Sequence, residues 1–331
     1  MADILEVQNL KTYFVTKEKT VKAVDDVSFT IRQGESFALV GESGCGKSAT
    51  CRSILRLIRK PGKIVDGHIL YKGQDLAALS DKEMRQIRGK EIAMIFQEPM
   101  TALNPVLTIG EQIFEAFGDR KMSKKEKTER AVQLLQMVGI PRPETRLKEY
   151  PHQFSGGMRQ RAMIAIALAA KPQLLLADEP TTALDVTIQD QIINLLNDLK
   201  ERLGMSILLI THDLGVVAQM CDRVAVMYAG HVVEVAETLT LFQSPRHPYT
   251  FGLLSSLPTG HETERLVPIP GSPPDLANPP KGCPFAPRCQ FAEERCRQEL
   301  PGLREITPEH YSRCHFPEKL AHVKSFVEGG E

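Results

Sequence analysis

The sequence predicts an α/β protein with a largely parallel central sheet. Short β-rich runs alternate with helical periodicity through the first ~250 residues, the pattern of strands joined by crossover helices. Three of the runs are continuously apolar, as expected for strands that are covered on both faces. Beyond this region the sequence is rich in proline and cysteine and loses its periodicity, which indicates a separate C-terminal extension with little core of its own.

Residues with reactive or phosphate-binding side chains follow each apolar run. The three runs are Phe37–Val40 before a glycine-rich segment, Leu174–Ala177 before Asp178-Glu179, and Ile207–Ile210 before Thr211-His212-Asp213. Ligands of α/β sheets bind at the carboxyl ends of the strands, so we expect these residues to form the functional site. A helix is predicted to follow the glycine-rich segment, over Ser48–Ile58.

Composition and charge exclude several classes of protein. Lys+Arg and Asp+Glu both total 41, so a net-neutral chain of 331 residues has no general attraction for nucleic acid, and we expect no nucleic-acid partner. The longest apolar run, Ala162–Ala170, is far shorter than the ~20 residues that cross a bilayer. The N-terminus lacks the basic and apolar regions of a secretory signal. We therefore expect a cytosolic globular protein.

Proline and cysteine usage suggests where the domains divide. Of the 22 prolines, 14 lie at or after Pro245, and four of the seven cysteines lie at or after Cys283. We place the boundary near Leu257–Gly260, which gives a main domain over residues 1–257 and a C-terminal extension over 258–331.

The segment from Gly41 to Ser48 matches the phosphate-binding pattern G-x-x-x-x-G-K-[ST] between a predicted strand and a predicted helix. Glycines let such a loop turn its N–H groups toward a phosphate at a helix N-terminus. Lys47 is predicted to reach the β- and γ-phosphates of a nucleotide, and the Ser48 hydroxyl to bind Mg²⁺. The alternative is a glycine-rich turn that only joins strand to helix. The candidate nucleotide-binding residues of this loop are Gly41, Ser43, Gly44, Cys45, Gly46, Lys47 and Ser48.

The acidic pair after the second apolar run completes a P-loop NTPase. Asp178 is predicted to support Mg²⁺, and Glu179 to act as the general base that polarises the attacking water. An acidic pair at a strand end is by itself weak evidence for an NTPase, and it supports this interpretation only together with the phosphate loop.

A second candidate phosphate site begins the helix after Phe154. Ser155 is a good helix N-cap, and Gly156 and Gly157 permit close approach of a phosphate. The run from Phe154 to Arg161 resembles the signature motif of ABC ATPases, with Phe154 in place of Leu and Met158 in place of Gln. Since one ATP has one γ-phosphate, two such sites predict a head-to-tail dimer in which each signature closes over the partner's ATP.

This resemblance implies roles for further residues. Gln97 resembles the Q-loop glutamine that contacts Mg²⁺ and the attacking water, and His212 resembles the switch histidine that senses the γ-phosphate. Asp185 closes a segment that resembles the D-loop, Ala183-Leu184-Asp185. Either Phe14 or Tyr13 stacks on adenine, and we prefer Phe14. The implied fold is a P-loop NTPase of ABC type, with an N-terminal antiparallel β part and a helical subdomain over about 98–160.

Several segments resemble the ATP-binding subunits of bacterial oligopeptide and dipeptide importers, and the resemblance extends through the C-terminal extension. They are Met100–Pro105, Thr108–Gln112, Tyr150–Ser155, Ala183–Gln189 and His247–Thr250. The resemblance implies a second ATPase subunit, paralogous or identical, two membrane permease subunits, an extracytoplasmic binding protein and a location on the cytoplasmic face of the membrane. Alternatives are import of nickel, opines, glutathione or haem by the same machinery, or a soluble ABC ATPase.

The C-terminal cysteines Cys283, Cys289, Cys296 and Cys314 follow the spacing C-x5-C-x6-C-x17-C. Four cysteines in a short, core-poor segment of a cytosolic protein suggest a metal site rather than disulfides. Four thiolates suit tetrahedral zinc or an iron–sulfur cluster, and spacing alone slightly favours zinc. The family resemblance instead favours a [4Fe–4S] cluster, with zinc or no metal as alternatives.

Overall fold

The computed structural model of the chain describes residues 2–118, 121–182, 184–257 and 268–320. It divides into two compact units. The first unit comprises Met1–Ala78 with Thr211–Glu331, and the second comprises Leu79–Ile210. Residues 258–260 of the expected domain boundary lie outside the described residues, so the division into 1–257 and 258–331 stays a prediction.

Strands and helices alternate through most of the chain. The strands are β1 (Asp3–Val15), β2 (Thr20–Arg32), β3 (Ser36–Val40), β4 (Gly62–Tyr71), β5 (Gln74–Asp75), β6 (Ile92–Ile95), β7 (Leu174–Asp178), β8 (Ser206–Thr211), β9 (Arg223–Tyr228), β10 (His231–Glu237), β11 (Arg304–Thr307) and β12 (His310–Ser312). The α-helices are α1 (Lys47–Ile54), α2 (Asp81–Ile87), α3 (Pro99–Ala102), α4 (Ile109–Ala116), α5 (Lys124–Met137), α6 (Pro143–Arg146), α7 (Gly156–Leu168), α8 (Val186–Leu203), α9 (Leu214–Met220), α10 (Thr238–Gln243), α11 (Pro248–Ser255) and α12 (Glu294–Gln298). Short 3₁₀ turns cover Pro151–Gln153, Ala286–Arg288 and Pro317–Leu320.

The first unit contains an antiparallel sheet in the order β2-β1-β4-β5, which confirms the expected N-terminal β part. Its other strands follow the order β3-β9-β10-β12-β11. Strands β3 and β9 are parallel, whereas β12 runs antiparallel to β10 with Glu234 opposite Ser312. The C-terminal segment therefore adds two strands to a sheet, which its weak periodicity did not predict.

The second unit is built on the parallel strands β6, β7 and β8, with Leu174 opposite both Ile92 and Ser206. Every residue of these three strands is buried, as their continuous hydrophobicity predicts. Helices α4, α5 and α7 pack together in the same unit. Helices α4 and α5 both begin with capping boxes, in which the N-cap hydroxyls of Thr108 and Ser123 accept hydrogen bonds from backbone N–H groups in the first turn.

Helix α1 is shorter than the sequence predicted, because it ends at Ile54 rather than Ile58. Arg56 adopts a left-handed conformation with φ of 51°. Its N–H donates to the Ser53 carbonyl at 2.9 Å, and the Leu57 N–H donates to the Arg52 carbonyl at 2.7 Å. This pair of bonds is the Schellman arrangement that ends helices. Arginine at the left-handed position, where glycine is usual, gave no signal in the sequence.

Candidate functional site

The phosphate loop lies in the first unit, between β3 and α1 as predicted. Gly41 has φ of 153° and Gly46 has φ of 109°, so both adopt backbone conformations that favour glycine. A Cβ atom at Gly41 would collide with the carbonyl oxygen of Met227, and one at Gly46 with that of Ala23. The loop therefore requires glycine at these two positions for packing as well as for its curvature. Ser43 and Gly44 are exposed at its tip.

Lys47 is the first residue of α1, and its side chain crosses the phosphate loop. Its Nζ donates to the carbonyl oxygens of Gly41 at 2.7 Å and Glu42 at 3.1 Å, and the residue is only 5% exposed. Ser48 follows on the first turn of the helix and is half-buried. Burial raises the pKa of the Cys45 thiol, which favours a neutral packing residue over a reactive one at this position.

The second unit brings Glu179 and Gln97 together. Asp178 ends β7 and is fully buried, and Glu179 follows it with φ of 48°. The Glu179 Oε2 accepts hydrogen bonds from Gln97 Nε2 at 3.0 Å and from the Thr182 hydroxyl at 2.9 Å. These bonds fix the carboxylate of the predicted general base. The sequence analysis missed Thr182, although a hydroxyl three residues after the acid was a usable signal.

The predicted signature motif begins α7 in the same unit. The Ser155 hydroxyl accepts a hydrogen bond from the Met158 N–H at 3.3 Å, so the predicted N-cap is present. Ser155 and Gly156 are exposed. A Cβ at Gly157 would lie 3.1 Å from Cγ2 of Ile188, which belongs to the first turn of α8. The signature thus packs beside the start of α8 within one chain and leaves its first residues accessible.

The expected D-loop precedes α8, and Asp185 is the N-cap of that helix. Its carboxylate accepts a hydrogen bond from the Ile188 N–H at 2.9 Å. Ala183 of this segment lies outside the described residues. In the first unit, His212 follows β8 and is exposed, and the neighbouring Asp213 caps α9. The sequence correctly placed His212 and Asp213 at the carboxyl end of this strand.

The two candidate adenine-stacking residues lie side by side on β1 in different surroundings. The Tyr13 hydroxyl donates to Asp25 Oδ1 at 2.7 Å, and burial together with this bond raises the pKa of Tyr13. Phe14 is half-buried, and a Cβ at Gly62 would lie 2.7 Å from its ring. A hydrogen bond from its hydroxyl therefore fixes the Tyr13 ring, whereas the Phe14 ring packs through apolar contacts.

The four C-terminal cysteines line a single cavity of about 20 Å³ in the first unit. Burial raises the pKa of Cys283 to about 11 and that of Cys314 to about 12, and it also raises the pKa of Cys289. Within the described residues, however, no three His, Cys, Asp or Glu side chains are close enough to hold one metal ion. The other residues around the cavity are His247, Pro248, Phe285, Ala286, Phe291, Pro301, His315 and Phe316.

Comparison with known proteins identifies the family. Residues 24–182 match the family model described as "ABC transporter", and residues 233–296 match "Oligopeptide/dipeptide transporter, C-terminal region". The dipeptide transport ATP-binding protein DppD of Bacillus subtilis (strain 168) is 53% identical over 327 residues, which cover 97% of each chain. The oligopeptide transport ATP-binding protein AppD of the same organism is 55% identical over 322 residues, covering 96% of this chain and 98% of the relative. The chain belongs to the ABC transporter family.

Solved structures agree with this assignment. The dimeric structure of MJ0796, a bacterial ABC transporter cassette, matches with a TM-score of 0.64 and 31% identity. The match covers 71% of this chain and 98% of that one. The predicted P-loop fold of ABC type and the predicted enzyme class, an ABC-type ATPase, are thereby confirmed, whereas the Cys- and Pro-rich C-terminal extension stays a prediction.

The two family matches cover different parts of the candidate site of this ABC ATPase, and Phe14, Asp185 and His212 lie outside both. The first includes the phosphate loop, the signature and Glu179, and the second includes three of the four cavity cysteines but ends before Cys314. Among the described residues, none of the helices combines the length and the apolar character that a membrane crossing demands.

Proposed function

We propose that this chain is the ATP-hydrolysing subunit of an importer for dipeptides or oligopeptides. The C-terminal match carries the proposal, because its family description is specific to oligopeptide and dipeptide transporters. Relatives that share 51–55% of their residues with this chain bear names of dipeptide, oligopeptide and peptide transport. The chain would act with a second ATPase subunit, two permease subunits and an extracytoplasmic binding protein, at the cytoplasmic face of the membrane.

The site residues have distinct proposed roles in ATP hydrolysis. Lys47 and the N–H groups of its loop bind the phosphates, and His212 senses the γ-phosphate. Glu179, oriented by Gln97 and Thr182, accepts the proton of the attacking water. Ser155, Gly156, Gly157 and Asp185 complete the pocket of the partner subunit, and the partner's equivalents complete the pocket of this chain.

The residues present suit Mg²⁺. Ser48 offers a hydroxyl, Asp178 a carboxylate and Gln97 an amide oxygen, and hard oxygen donors of this kind are those that Mg²⁺ prefers. Asp178 is fully buried at the end of β7, where a bound cation would offset the cost of burying its charge. Bound there, the ion would neutralise phosphate charge.

Transport of peptides can be tested in cells that lack the gene for this chain. We expect loss of uptake of labelled di- and tripeptides, restored by the wild-type gene but not by genes carrying Lys47→Ala or Glu179→Gln. Normal peptide uptake together with lost uptake of nickel, opines, glutathione or haem would replace peptides with that cargo. Unaffected uptake of all of these would contradict a role in import.

Replacing Phe14 should distinguish the two candidate adenine-stacking residues. We expect Phe14→Ala to weaken ATP binding by about 5- to 100-fold, since stacking of a base on an aromatic ring is worth ~1–3 kcal/mol. Tyr13→Phe serves as the matched control, because it removes only the hydroxyl that donates to Asp25. Calorimetric titration with ATP measures both. A larger loss in Tyr13→Ala than in Phe14→Ala would reverse the assignment.

We further propose that the cavity cysteines hold a [4Fe–4S] cluster. Four cysteine thiolates are the usual ligand set of such a cluster. A single zinc ion needs sulfur atoms ~3.8 Å apart, as its ~2.3 Å bonds and tetrahedral geometry require. The family resemblance favours the cluster over such a zinc site, and the four thiols line one cavity, as a shared site requires.

Metal analysis tests the cluster directly. Anaerobically purified protein should be brown and contain about four iron and four sulfide per chain, the stoichiometry of a cluster held by four thiolates. Cys314→Ser should lose most of both. Cys221→Ser is the matched control, because Cys221 is buried outside the cavity and its variant should keep the colour. A colourless protein that contains about one zinc per chain would contradict the cluster.

A further inference from the structure

An arginine of the cysteine segment, whose side chain is largely buried, forms an ion pair with the phosphate loop. The Arg288 guanidinium donates from Nη1 to Glu42 Oε2 at 2.8 Å and from Nη2 to Glu42 Oε1 at 3.0 Å. Glu42 is the second residue of the phosphate loop, and Arg288 directly precedes Cys289. The Arg288 side chain is 6% exposed and that of Glu42 25% exposed, so this two-bond pair is largely shielded from water.

Arg288 is itself held firmly in place. Its Nε donates to the Pro270 carbonyl at 2.8 Å. The guanidinium lies 5.8 Å from the centre of the Tyr228 ring and 5.9 Å from that of Phe285, within the range of cation–π attraction. All three guanidinium nitrogens of Arg288 donate hydrogen bonds, so its position is fixed and it can hold Glu42 in place.

Glu42 is also bound through its backbone. Its N–H donates to the Tyr249 hydroxyl at 2.8 Å, and its carbonyl accepts from Lys47 Nζ at 3.1 Å. Tyr249 is fully buried, and its ring lies 5.4 Å from that of Phe285. Hydrogen bonds therefore fix the side chain, the N–H and the carbonyl of Glu42. Two of the three partners, Arg288 and Tyr249, belong to the Thr211–Glu331 part of the unit.

We infer that Arg288 is a positioning residue for ATP binding, acting through Glu42 on the shape of the phosphate loop. The inference rests on the proposed role of that loop in binding ATP. Phosphate binding requires the loop N–H groups and Lys47 to converge on the phosphate, and a loop that is already fixed loses less conformational entropy on binding. The two-bond geometry demands arginine, because lysine offers a single point charge.

Binding of ATP to Arg288 variants tests the inference. In the Glu179→Gln background, which prevents turnover, Arg288→Gln should weaken ATP binding by about tenfold, the scale of a charge-assisted hydrogen-bond pair that is partly screened. Arg288→Lys should recover little of this loss. With Glu179 intact, KM for ATP should rise by a similar factor while kcat changes less than twofold, because the loop binds ground state and transition state alike.

Coupling between the two residues provides the sharper readout. Glu42→Gln alone should weaken ATP binding, and adding Arg288→Gln to it should cause little further loss, because both changes break the same pair. Arg313→Gln is the matched control. Arg313 is an equally buried arginine beside Cys314, and it pairs with Asp26 at 3.0 Å instead of with the phosphate loop. Its variant should lower the melting temperature and leave the Kd for ATP unchanged.

The outcomes separate this inference from the proposed function. If the wild-type protein binds no ATP, the proposed function fails. If it binds ATP and folded Arg288→Gln binds equally well, the positioning role fails. It also fails if Arg313→Gln weakens ATP binding as much, since the effect would then be a general loosening, or if the Glu42 and Arg288 losses add in full. If Arg288→Gln does not fold, ATP binding by Glu42→Gln and by the double variant Glu42→Gln/Arg288→Lys tests the positioning role instead.

Discussion

Replacing Glu179 by glutamine is expected to reduce kcat for ATP hydrolysis by about 10²- to 10⁴-fold, the range that a positioned general base contributes. The carboxylate accepts hydrogen bonds from Gln97 and Thr182, which orient it. Glutamine keeps the size of the side chain but cannot take a proton from water. Phosphate release at saturating ATP measures the loss.

ATP binding should survive the same substitution, because Glu179 does not belong to the phosphate loop. We expect Glu179→Gln to bind ATP with a Kd within threefold of the wild type and to accumulate as an ATP-bound closed dimer. Thr182→Val is the matched control, since it removes one of the two bonds to the carboxylate and should cost only a few-fold in kcat. Near-normal turnover in Glu179→Gln would contradict the role as base.

Replacing Lys47 by alanine is expected to weaken ATP binding by about 10- to 100-fold, because a hydrogen bond from a charged group contributes ~1.5–3 kcal/mol. Lys47 is the only residue of its loop segment, Gly41 to Ser48, that carries a positive charge. Its removal also leaves the carbonyls of Gly41 and Glu42 without their present donor from Nζ. Calorimetric titration with ATP and Mg²⁺ measures the affinity.

A second lysine shows whether this effect is specific. Lys11→Ala removes a lysine of the same unit that pairs with Asp66 on β4, at the surface of the antiparallel sheet. It should leave the affinity for ATP unchanged. Equal affinity of Lys47→Ala and the wild type would argue that Gly41–Ser48 is only a glycine-rich turn between strand and helix.

Local features of the fold could be predicted from the sequence. The continuous apolar runs gave β7 and β8 to within one residue at each end, and the capping propensity of Ser155 gave the start of α7. Each of these depends on residues that are neighbours in the chain, so spacing and propensity carry the information. The predicted end of α1 was wrong by four residues, because Arg56 adopts a left-handed conformation that its residue type does not indicate.

Features that depend on distant residues could not be predicted. Arg288 and Glu42 are 246 positions apart, and nothing in either local pattern indicates that they pair. The same holds for β12, whose pairing with β10 turns an apparently irregular segment into part of a sheet. The cysteine spacing indicated a shared site, and the structure places all four around one cavity, but the occupant depends on sulfur positions that spacing does not define.

The central claim is that a complete ATP pocket needs a signature serine from a second subunit, and steady-state turnover as a function of chain concentration tests it most directly. The rate of phosphate release per chain should rise with concentration from nanomolar to micromolar, or should appear only when the second ATPase subunit is added. Replacing the exposed Ser155 with arginine should abolish it. A full rate that is independent of concentration, of any partner and of Ser155 would contradict the account.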